Sequence, residues 1–285
     1  MAALGAFATA CGGGGETVSV VGATVSPAGG SAGPTAPVPA SSAASAKAST
    51  PTPAEADAEL LKKRYGLKPF APAPPPPAVK PLTLKASDPT VFSDVPMKDK
   101  VVFVTIDDGI EKDPKFIQMA KDFKIPLTIS LADVLIRDDY AYFEKLYETG
   151  HVSIQNHTVT HPLEMPALGA AQQLDEISGQ QEILHKRYGV TPYIFRPPGG
   201  NYNATTVDVT RQSGLRGLML WKESMEISDM EYQTASHRLS PGDIILCHFR
   251  GPAQLHGESM VHMMIHLYRH IQNQGFTVAD ITHYV

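Results

Sequence analysis

Two short clusters of acidic and histidine side chains stand out in the chain. Asp107 and Asp108 are adjacent and directly precede Gly109, and further along His157 and His161 are separated by three residues. One aspartate and two histidines can hold a divalent metal and leave a coordination position open for water. The second aspartate could then act as a general base on that water. The residue types and their spacing therefore predict a hydrolytic metal site.

Two further segments carry side chains suited to the same chemistry. Arg196 begins the segment Arg196–Gly200, in which paired prolines stiffen a loop and paired glycines let the backbone approach a ligand. Arg196 could pair with the spare aspartate, and the alternative is a surface arginine beside a tight turn. Pro241–Cys247 leads from a turn into an apolar run that ends at His248. His248 is a site residue if it faces the same metal, and otherwise an ordinary core histidine.

The elements that must position these residues alternate along the second part of the chain. A continuous apolar run such as Val101–Ile106 is typical of a strand buried on both faces. Alternating β and α units predict a parallel sheet, and about seven units predict a closed or nearly closed barrel with helices outside. The predicted strands are Val101–Ile106, Leu127–Leu131, Val152–Gln155, Tyr193–Phe195, Gly217–Trp221, Ile244–His248 and Phe276–Val278. The predicted helices are Pro114–Phe123, Asp138–Glu148, Ala167–Tyr188, Ala204–Ser213, Tyr232–Leu239 and Ser259–Gln274.

The candidate residues follow the ends of these predicted strands. In parallel barrels, catalytic residues collect at the C-terminal ends of the strands. Polar side chains from four separate strand ends would then face one mouth, which packing alone does not explain. They are Asp107 and Asp108 after the first strand, His157 and His161 after the third, Arg196 after the fourth and His248 at the end of the sixth.

The N-terminal part of the chain has a different composition. Residues 12–81 are rich in Ala, Pro, Ser, Thr and Gly and contain few large apolar side chains. Such a segment buries too little surface to offset its ordering entropy, which predicts a disordered tether. Within it, Ala54–Tyr65 could form a short charged helix, and Pro74–Pro77 favours polyproline II. Residues 82–285 are predicted to form the folded domain.

The two cysteines have different surroundings. Cys247 lies in an apolar run and is predicted to be a buried thiol. Cys11 ends a stretch of small residues that resembles the tail of a bacterial lipoprotein signal peptide, although Ala8 stands where leucine is usual. Residues 1–11 are therefore interpreted as the remnant of such a peptide, with a lipid anchor on Cys11 and an extracytoplasmic domain. The alternative is an alanine-rich N-terminus with a chance cysteine.

Charge and hydropathy argue against a nucleic-acid-binding protein and against a membrane-spanning segment. The formal net charge of −5 and the pI of about 6.1 argue against a nucleic-acid-binding protein, which would usually be basic. No segment outside the N-terminal stretch is apolar for long enough to span a membrane. Nothing in the sequence indicates a protein partner.

Four segments resemble, in order and spacing, motifs of the polysaccharide deacetylase family, the NodB-homology group of carbohydrate esterase family four. They are Thr105–Gly109, His157–Pro162, Arg196–Gly200 and Leu246–His248. The resemblance covers about Lys100 to Val285. It implies an α/β fold with a distorted (β/α) barrel of about seven parallel strands, a bound divalent metal that is often zinc, and removal of acetyl groups from sugars. Cobalt or nickel could accept the same ligands.

The resemblance also implies a role for each motif residue. Asp107 would take a proton from the attacking water, Arg196 would orient Asp107, and His248 would protonate the departing sugar amine. The backbone N–H of Gly199 would stabilise the oxyanion, and Leu246 would pack against the acetyl methyl group. The implied metal ligands are Asp108, His157 and His161.

Three departures from the family pattern bear on activity. Ile106 stands where phenylalanine is usual, and Gly199 stands where tyrosine is usual, so the backbone donor survives but a wall of the pocket is lost. The Asp-Trp pair of a further motif is absent from Trp221–Asp229. Either Glu226 or Asp229 substitutes for that aspartate, or the acid histidine lacks the partner.

These observations predict a metal-dependent deacetylase acting on an N-acetylated cell-envelope polysaccharide. Peptidoglycan is the first choice because the tether would hold the domain near the cell wall, and chitin oligomers and acetylated xylan are the other substrates considered. One alternative is a glycan-binding lipoprotein with weak or lost turnover, which the missing Asp-Trp pair motivates. Another is a metal-dependent amidohydrolase acting on a small cyclic amide.

Overall fold

The central sheet forms from strands that are continuous apolar runs. The computed structural model describes residues 52–285. Every residue of Val101–Asp108 is buried, and so is every residue of Leu127–Leu131. Parallel strands that are covered on both faces bury nearly all of their side chains. The helices around the sheet cover it with their apolar faces, which include Phe116 and Leu267.

The described residues contain ten strands and seven α-helices. The strands are β1 (Thr90–Phe92), β2 (Val101–Asp108), β3 (Leu127–Leu131), β4 (Val152–Asn156), β5 (Ile194–Phe195), β6 (Gly217–Met219), β7 (Glu223–Glu226), β8 (Asp229–Tyr232), β9 (Ile244–His248) and β10 (Thr277–Val278). The helices are α1 (Pro53–Tyr65), α2 (Pro114–Phe123), α3 (Asp133–Ile136), α4 (Tyr140–Tyr147), α5 (Ala170–Tyr188), α6 (Ala204–Gln212) and α7 (Met260–Asn273).

The strands build a curled, open barrel. Their order is β1-β6-β5-β4-β3-β2-β9-β7-β8, and β10 pairs with β2. The β7–β8 pair is antiparallel, whereas the neighbours from β1 through β9 are parallel. The predicted α/β fold with a distorted barrel is therefore confirmed, and each of the seven predicted strands is present. Strands β1, β7 and β8 were not predicted.

The predicted helix Tyr232–Leu239 is wrong. Tyr232 ends the β7–β8 hairpin, after which the chain runs without regular structure into β9. Met225 on β7 pairs across the hairpin with Met230 on β8, and both pack on the core. The alternating pattern of this segment therefore favours a strand over a helix. Between Tyr232 and β9, Leu239 is the one large apolar side chain that a helix could bury.

Part of the segment before residue 82 packs on the barrel. A capping box begins α1, and the helix predicted over Ala54–Tyr65 is confirmed. Leu61 is buried, and Phe70 contacts Tyr268 of α7 edge-on. The disordered tether predicted for residues 12–81 is therefore wrong for residues 53–71, because their few apolar side chains find partners on the barrel helices.

Other predictions on the N-terminal part lie outside the described residues. These are the signal-peptide remnant at residues 1–11, the lipid anchor on Cys11, and the tether as far as residue 51. Within residues 52–285, no helix combines the length and the hydropathy needed to cross a membrane. Cys247 is a buried free thiol, as predicted.

Candidate active site

The strand register brings the separate motifs to one rim of the barrel. On β2, Asp107 stands opposite His248 of the neighbouring β9. Asp108 ends β2, and β4 ends at Asn156, directly before His157. Because parallel strands end at the same edge of a sheet, residues distant in sequence meet there.

Asp108, His157 and His161 form a compact group of ligand atoms. One ligand atom from each lies within 4.8 Å of the others. Oδ1 of Asp108 is 3.0 Å from Nε2 of His161 and 3.5 Å from Nε2 of His157. Asp108 and His157 are buried, whereas His161 is partly open to solvent. One carboxylate oxygen and two imidazole nitrogens at this spacing fit a divalent cation with a remaining open position.

A hydrogen bond at Nδ1 of His157 leaves the other ring nitrogen, Nε2, free to bind a metal. Nδ1 of His157 lies 2.6 Å from the carbonyl oxygen of Arg196, so its N–H donates to that oxygen. The Nε2 lone pair then points to the side of Asp108. Burial disfavours the charge on Asp108, but the neighbouring His157 and His161 outweigh it and hold the pKa of Asp108 below its ordinary value. Asp108 is therefore ionised at neutral pH, as a metal ligand would have to be.

The loop that carries both histidines has an unusual backbone conformation. Thr158 and His161 have φ angles of 72° and 57°, in the left-handed region that side chains disfavour. Such conformations persist at functional sites when the surroundings enforce them. Glu176 of α5 accepts hydrogen bonds from the backbone N–H groups of Val159 at 2.9 Å and Thr160 at 2.7 Å. The helix therefore holds the loop in place.

Asp107 is fixed from behind by a wholly buried arginine. Nη1 of Arg196 donates to Oδ1 of Asp107 at 3.1 Å and to Oγ1 of Thr105 at 2.6 Å. Its Nε donates to the carbonyl of Met219 at 3.1 Å, and its Nη2 to that of Leu220 at 3.0 Å. The guanidinium thus holds one oxygen of Asp107, and the other oxygen stays on the side of the predicted metal ligands.

His248 stands opposite Asp107 on the neighbouring strand, but within residues 52–285 no carboxylate makes a hydrogen bond to its ring. The pKa of His248 is below its ordinary value, chiefly because burial disfavours the charged ring. Asp107 and Asp108 raise this pKa, and Arg250 lowers it. Glu226, one of the two predicted substitutes for the missing aspartate, pairs instead with Arg250 at 3.3 Å. Asp229, the other, is exposed at the tip of the β7–β8 hairpin. In the part of the chain that is described, neither substitute pairs with His248.

These side chains open onto one small cavity of about 160 Å³. Seven of the eight predicted site residues line it, including Gly199 and Leu246, while Arg196 is buried behind Asp107. Three lining residues were missed by the sequence analysis: Leu163, Trp221 and Arg250.

The wall that Gly199 was expected to leave open is filled from other loops. A Cβ atom on Gly200 would lie 2.9 Å from the Trp221 ring, and one on Gly199 would lie 3.5 Å from Leu163. Both glycines have a positive φ, so an L side chain would be strained at either position. Trp221 begins the stretch that lacks the Asp-Trp pair, and its indole still reaches the cavity.

Arg250 could have been noticed from its position, because it follows the motif histidine His248 by two residues. It lies beyond the end of β9, and its N–H donates to the carbonyl of His248 at 2.9 Å, so a tight turn places it at the cavity. Trp221 and Leu163 carried no comparable signal, because each reaches the cavity from outside the recognised motifs.

Comparison with known proteins agrees with this geometry. Residues 94–218 match the sequence model of polysaccharide deacetylases. An uncharacterized protein of Streptomyces coelicolor is 34% identical over 198 residues, which cover 69% of this chain and 78% of that protein. The chain belongs to the polysaccharide deacetylase family. The predicted resemblance to this family is thus confirmed, and residues 94–218 include three of the four motifs.

Of two other proteins that resemble this chain, one is named as an enzyme and the other as a pseudoenzyme. A peptidoglycan-N-acetylglucosamine deacetylase of Bacillus cereus is 23% identical over 217 residues, which cover 71% of this chain and 99% of that protein. A CE4 family pseudoenzyme from Bacillus anthracis has the same fold, with a TM-score of 0.57, 18% identity and 68% of each chain covered. The polysaccharide deacetylase fold therefore does not by itself establish turnover.

Proposed function

We propose that the protein is a metal-dependent hydrolase that removes acetyl groups from an N-acetylated cell-envelope polysaccharide, with peptidoglycan as the substrate. One observation carries this proposal: the cluster of Asp108, His157 and His161 shares a cavity with Asp107 and His248. Glycan binding alone would need neither a general base nor an acid. The peptidoglycan deacetylase among the relatives supports the choice of polymer.

Asp107 would act as the general base. Arg196 binds Oδ1 of Asp107, so the other oxygen is the one that accepts the proton of the attacking water. A divalent cation bound by the three-residue cluster would polarise the acetyl carbonyl and acidify that water.

His248 would supply the proton that the leaving group needs. Attack on the acetyl carbon gives a tetrahedral oxyanion, for which the N–H of Gly199 is the backbone donor at the cavity wall. When the C–N bond breaks, His248 in its protonated form would give its proton to the sugar nitrogen and acetate would depart. The proton that Asp107 took from the water would then return to the neighbouring ring of His248. Leu246 is buried on the cavity side of β9 and provides an apolar surface for the acetyl methyl group.

The glycan would lie across the mouth of the cavity. Leu163 is 55% exposed, and Trp221 lines the same opening. Apolar and aromatic surfaces of this kind can pack against the faces of sugar rings.

The location is proposed from the sequence pattern. A lipid on Cys11 would anchor the protein to the outer face of the cytoplasmic membrane, and the Pro- and Ala-rich residues before α1 would serve as a spacer. Radiolabelled palmitate should be incorporated in the bacterial host and lost in Cys11→Ala. Equal labelling of both proteins would exclude this anchor.

A second candidate is a glycan-binding protein with weak turnover. His248 has no carboxylate partner from the hairpin, and a structural neighbour is described as a pseudoenzyme. The two candidates differ in whether Asp107 and His248 are used.

Acetate release decides between them. The full chain, loaded with Zn²⁺ or Co²⁺, is incubated with peptidoglycan, chitin oligomers and acetylxylan. Asp107→Asn should lower the rate on the preferred polymer about 10²- to 10⁴-fold while one equivalent of metal remains bound. Asp208→Asn, an exposed aspartate on α6, is the matched control and should leave the rate unchanged. Metal binding without acetate from any polymer would favour the binding protein.

A further inference from the structure

Arg250 is the cation at the mouth of the cavity. It lines the cavity together with His248 and Leu246, and it is the one lysine or arginine among the lining residues of the described chain. Arg196, the other arginine nearby, is wholly buried and bonded through each of its nitrogens. Among the described residues that line this opening, Arg250 is therefore the one side chain other than the histidines that can carry a positive charge.

The backbone beneath Arg250 is rigid. Its N–H donates to the carbonyl of His248 at 2.9 Å, and the N–H of Phe249 donates to the carbonyl of Asp107 at 3.0 Å. The buried ring of Phe249 contacts two core rings edge-on, those of Phe116 at 5.9 Å and Phe143 at 5.3 Å between centroids. Arg250 is thus held in a constant position relative to the acid and base of the site.

The guanidinium of Arg250 has donors to spare. Its side chain is 32% exposed, and Nη1 makes a single contact of 3.3 Å with Glu226 at the end of β7. A guanidinium carries five N–H donors. Glu226 therefore orients the head group from one side, and the remaining donors are available for a planar, bidentate anion such as a carboxylate.

We propose that Arg250 forms an anion subsite for a carboxylate of the glycan, so that the substrate is an acidic N-acetylated sugar rather than a neutral one. This inference rests on the proposed deacetylase function. Arg250 stands next to His248, which would protonate the sugar nitrogen, so the carboxylate must be on a substituent close to the acetamido carbon. A carboxyalkyl ether on the adjoining ring carbon, as in the muramyl residues of peptidoglycan, meets this requirement.

A different acidic sugar would place its charge elsewhere. A uronate carries its carboxylate on the far side of the ring from the acetamido group or on a neighbouring sugar. The proposal commits to the ether-linked carboxylate, and uronate-containing glycans are one arm of the test.

The test compares charged and neutralised forms of one glycan. Glycan strands with free lactyl carboxylates are prepared, and a portion is converted to the primary amide, which removes the charge and keeps the number of heavy atoms. For the full-length wild-type protein, kcat/KM should fall about 10- to 100-fold on amidation, the range expected for a lost charge-assisted bond. Arg250→Gln should lose a similar factor on the carboxylate form, mainly in KM, and little on the amide. Arg250→Lys should lie between them.

Two outcomes would overturn the subsite. One is an equal loss for Arg250→Gln on both forms, which would assign Arg250 a structural role or an effect on His248. The other is a preference of the wild type for uronate or neutral glycans. Arg211→Gln, which removes an exposed arginine of α6 that pairs with Asp208 at 2.7 Å, is the matched control and should behave as wild type.

Failure of the deacetylase proposal can be separated from failure of the subsite. If the wild type releases no acetate, binding is followed instead through Trp221, the one tryptophan of the chain, whose ring lines the cavity. Its fluorescence should titrate with the carboxylate glycan at a Kd about tenfold or more below that of the amide, and Arg250→Gln should abolish the difference. Equal Kd values in the wild type would refute the subsite independently of turnover.

Discussion

Replacing Arg196 by lysine is expected to lower both stability and activity, although the charge is retained. The guanidinium makes four contacts, to Asp107, Thr105 and the carbonyls of Met219 and Leu220. A lysine ammonium is a single point charge and cannot span all four. We expect it to keep Asp107 and to leave the two carbonyls without a donor.

The size of the loss follows from burial. An unsatisfied buried acceptor costs about 1–3 kcal/mol, and because Leu220 is only half-buried, the two carbonyls together should cost about 2–4 kcal/mol of the free energy of unfolding. Acetate release should fall as well, because the direction of Asp107 depends on the same guanidinium. Arg211→Lys, at an exposed ion pair, should change stability by less than about 1 kcal/mol.

Urea unfolding of the metal-free proteins measures the stability, and kcat/KM for acetate release measures the function. A loss under about 1 kcal/mol for Arg196→Lys would refute the reasoning, since the carbonyls would then have found other donors. Arg196→Met is the harsher variant. It strands the buried charge of Asp107 and should cost about 3–5 kcal/mol, and Asp107→Asn in the same chain should recover part of that loss.

Two further predictions concern the metal loop and the pH dependence of stability. Glu176→Ala should weaken Zn²⁺ binding about tenfold in a competition titration, because the loop of His161 loses its anchor, whereas Glu182→Ala on the same helix should not. An unchanged affinity would show that other contacts hold the loop. Burial raises the pKa of Glu223 to about 9, with the carboxylate of Asp243 adding to the effect. The folded state then retains a proton that the unfolded state loses above its lower pKa, so stability should fall by up to about 1.4 kcal/mol per pH unit as the pH rises towards 9. Glu223→Gln should flatten that slope in urea unfolding at pH 5 to 9, and an unaltered slope would contradict the assignment.

The seven strands could be predicted from the sequence because the apolar pattern that indicates each of them is local. A strand buried on both faces must be apolar throughout, as Val101–Ile106 is, and this pattern depends on no distant residue. The hairpin β7–β8 could not be recognised in the same way. Its Glu223 and Glu226 are not typical strand residues, and it forms because Met225 and Met230 pack on the core beside β9.

The start of the folded domain also depends partly on local sequence and partly on tertiary packing. The composition of residues 12–81 indicates a tether, and over most of that length each apolar side chain is isolated. Leu61 and Phe70 nevertheless pack on the barrel, Phe70 against Tyr268 of α7, because the folded domain creates an apolar surface for them. Burial on another element is a property of the assembled chain, and composition does not encode it.

The sequence by itself determined the chemistry of the site: which side chains could bind a metal, and which residues resemble the base, the acid and the orienting arginine of a known family. These inferences need only residue types and order. The tertiary structure decided which side chains surround them. Trp221 and Leu163 fill the wall beside the glycines, and Arg250, turned by Glu226, brings a cation to the mouth. These contacts join loops that are far apart in the chain, so they exist only once the parallel strands have brought their ends to one rim.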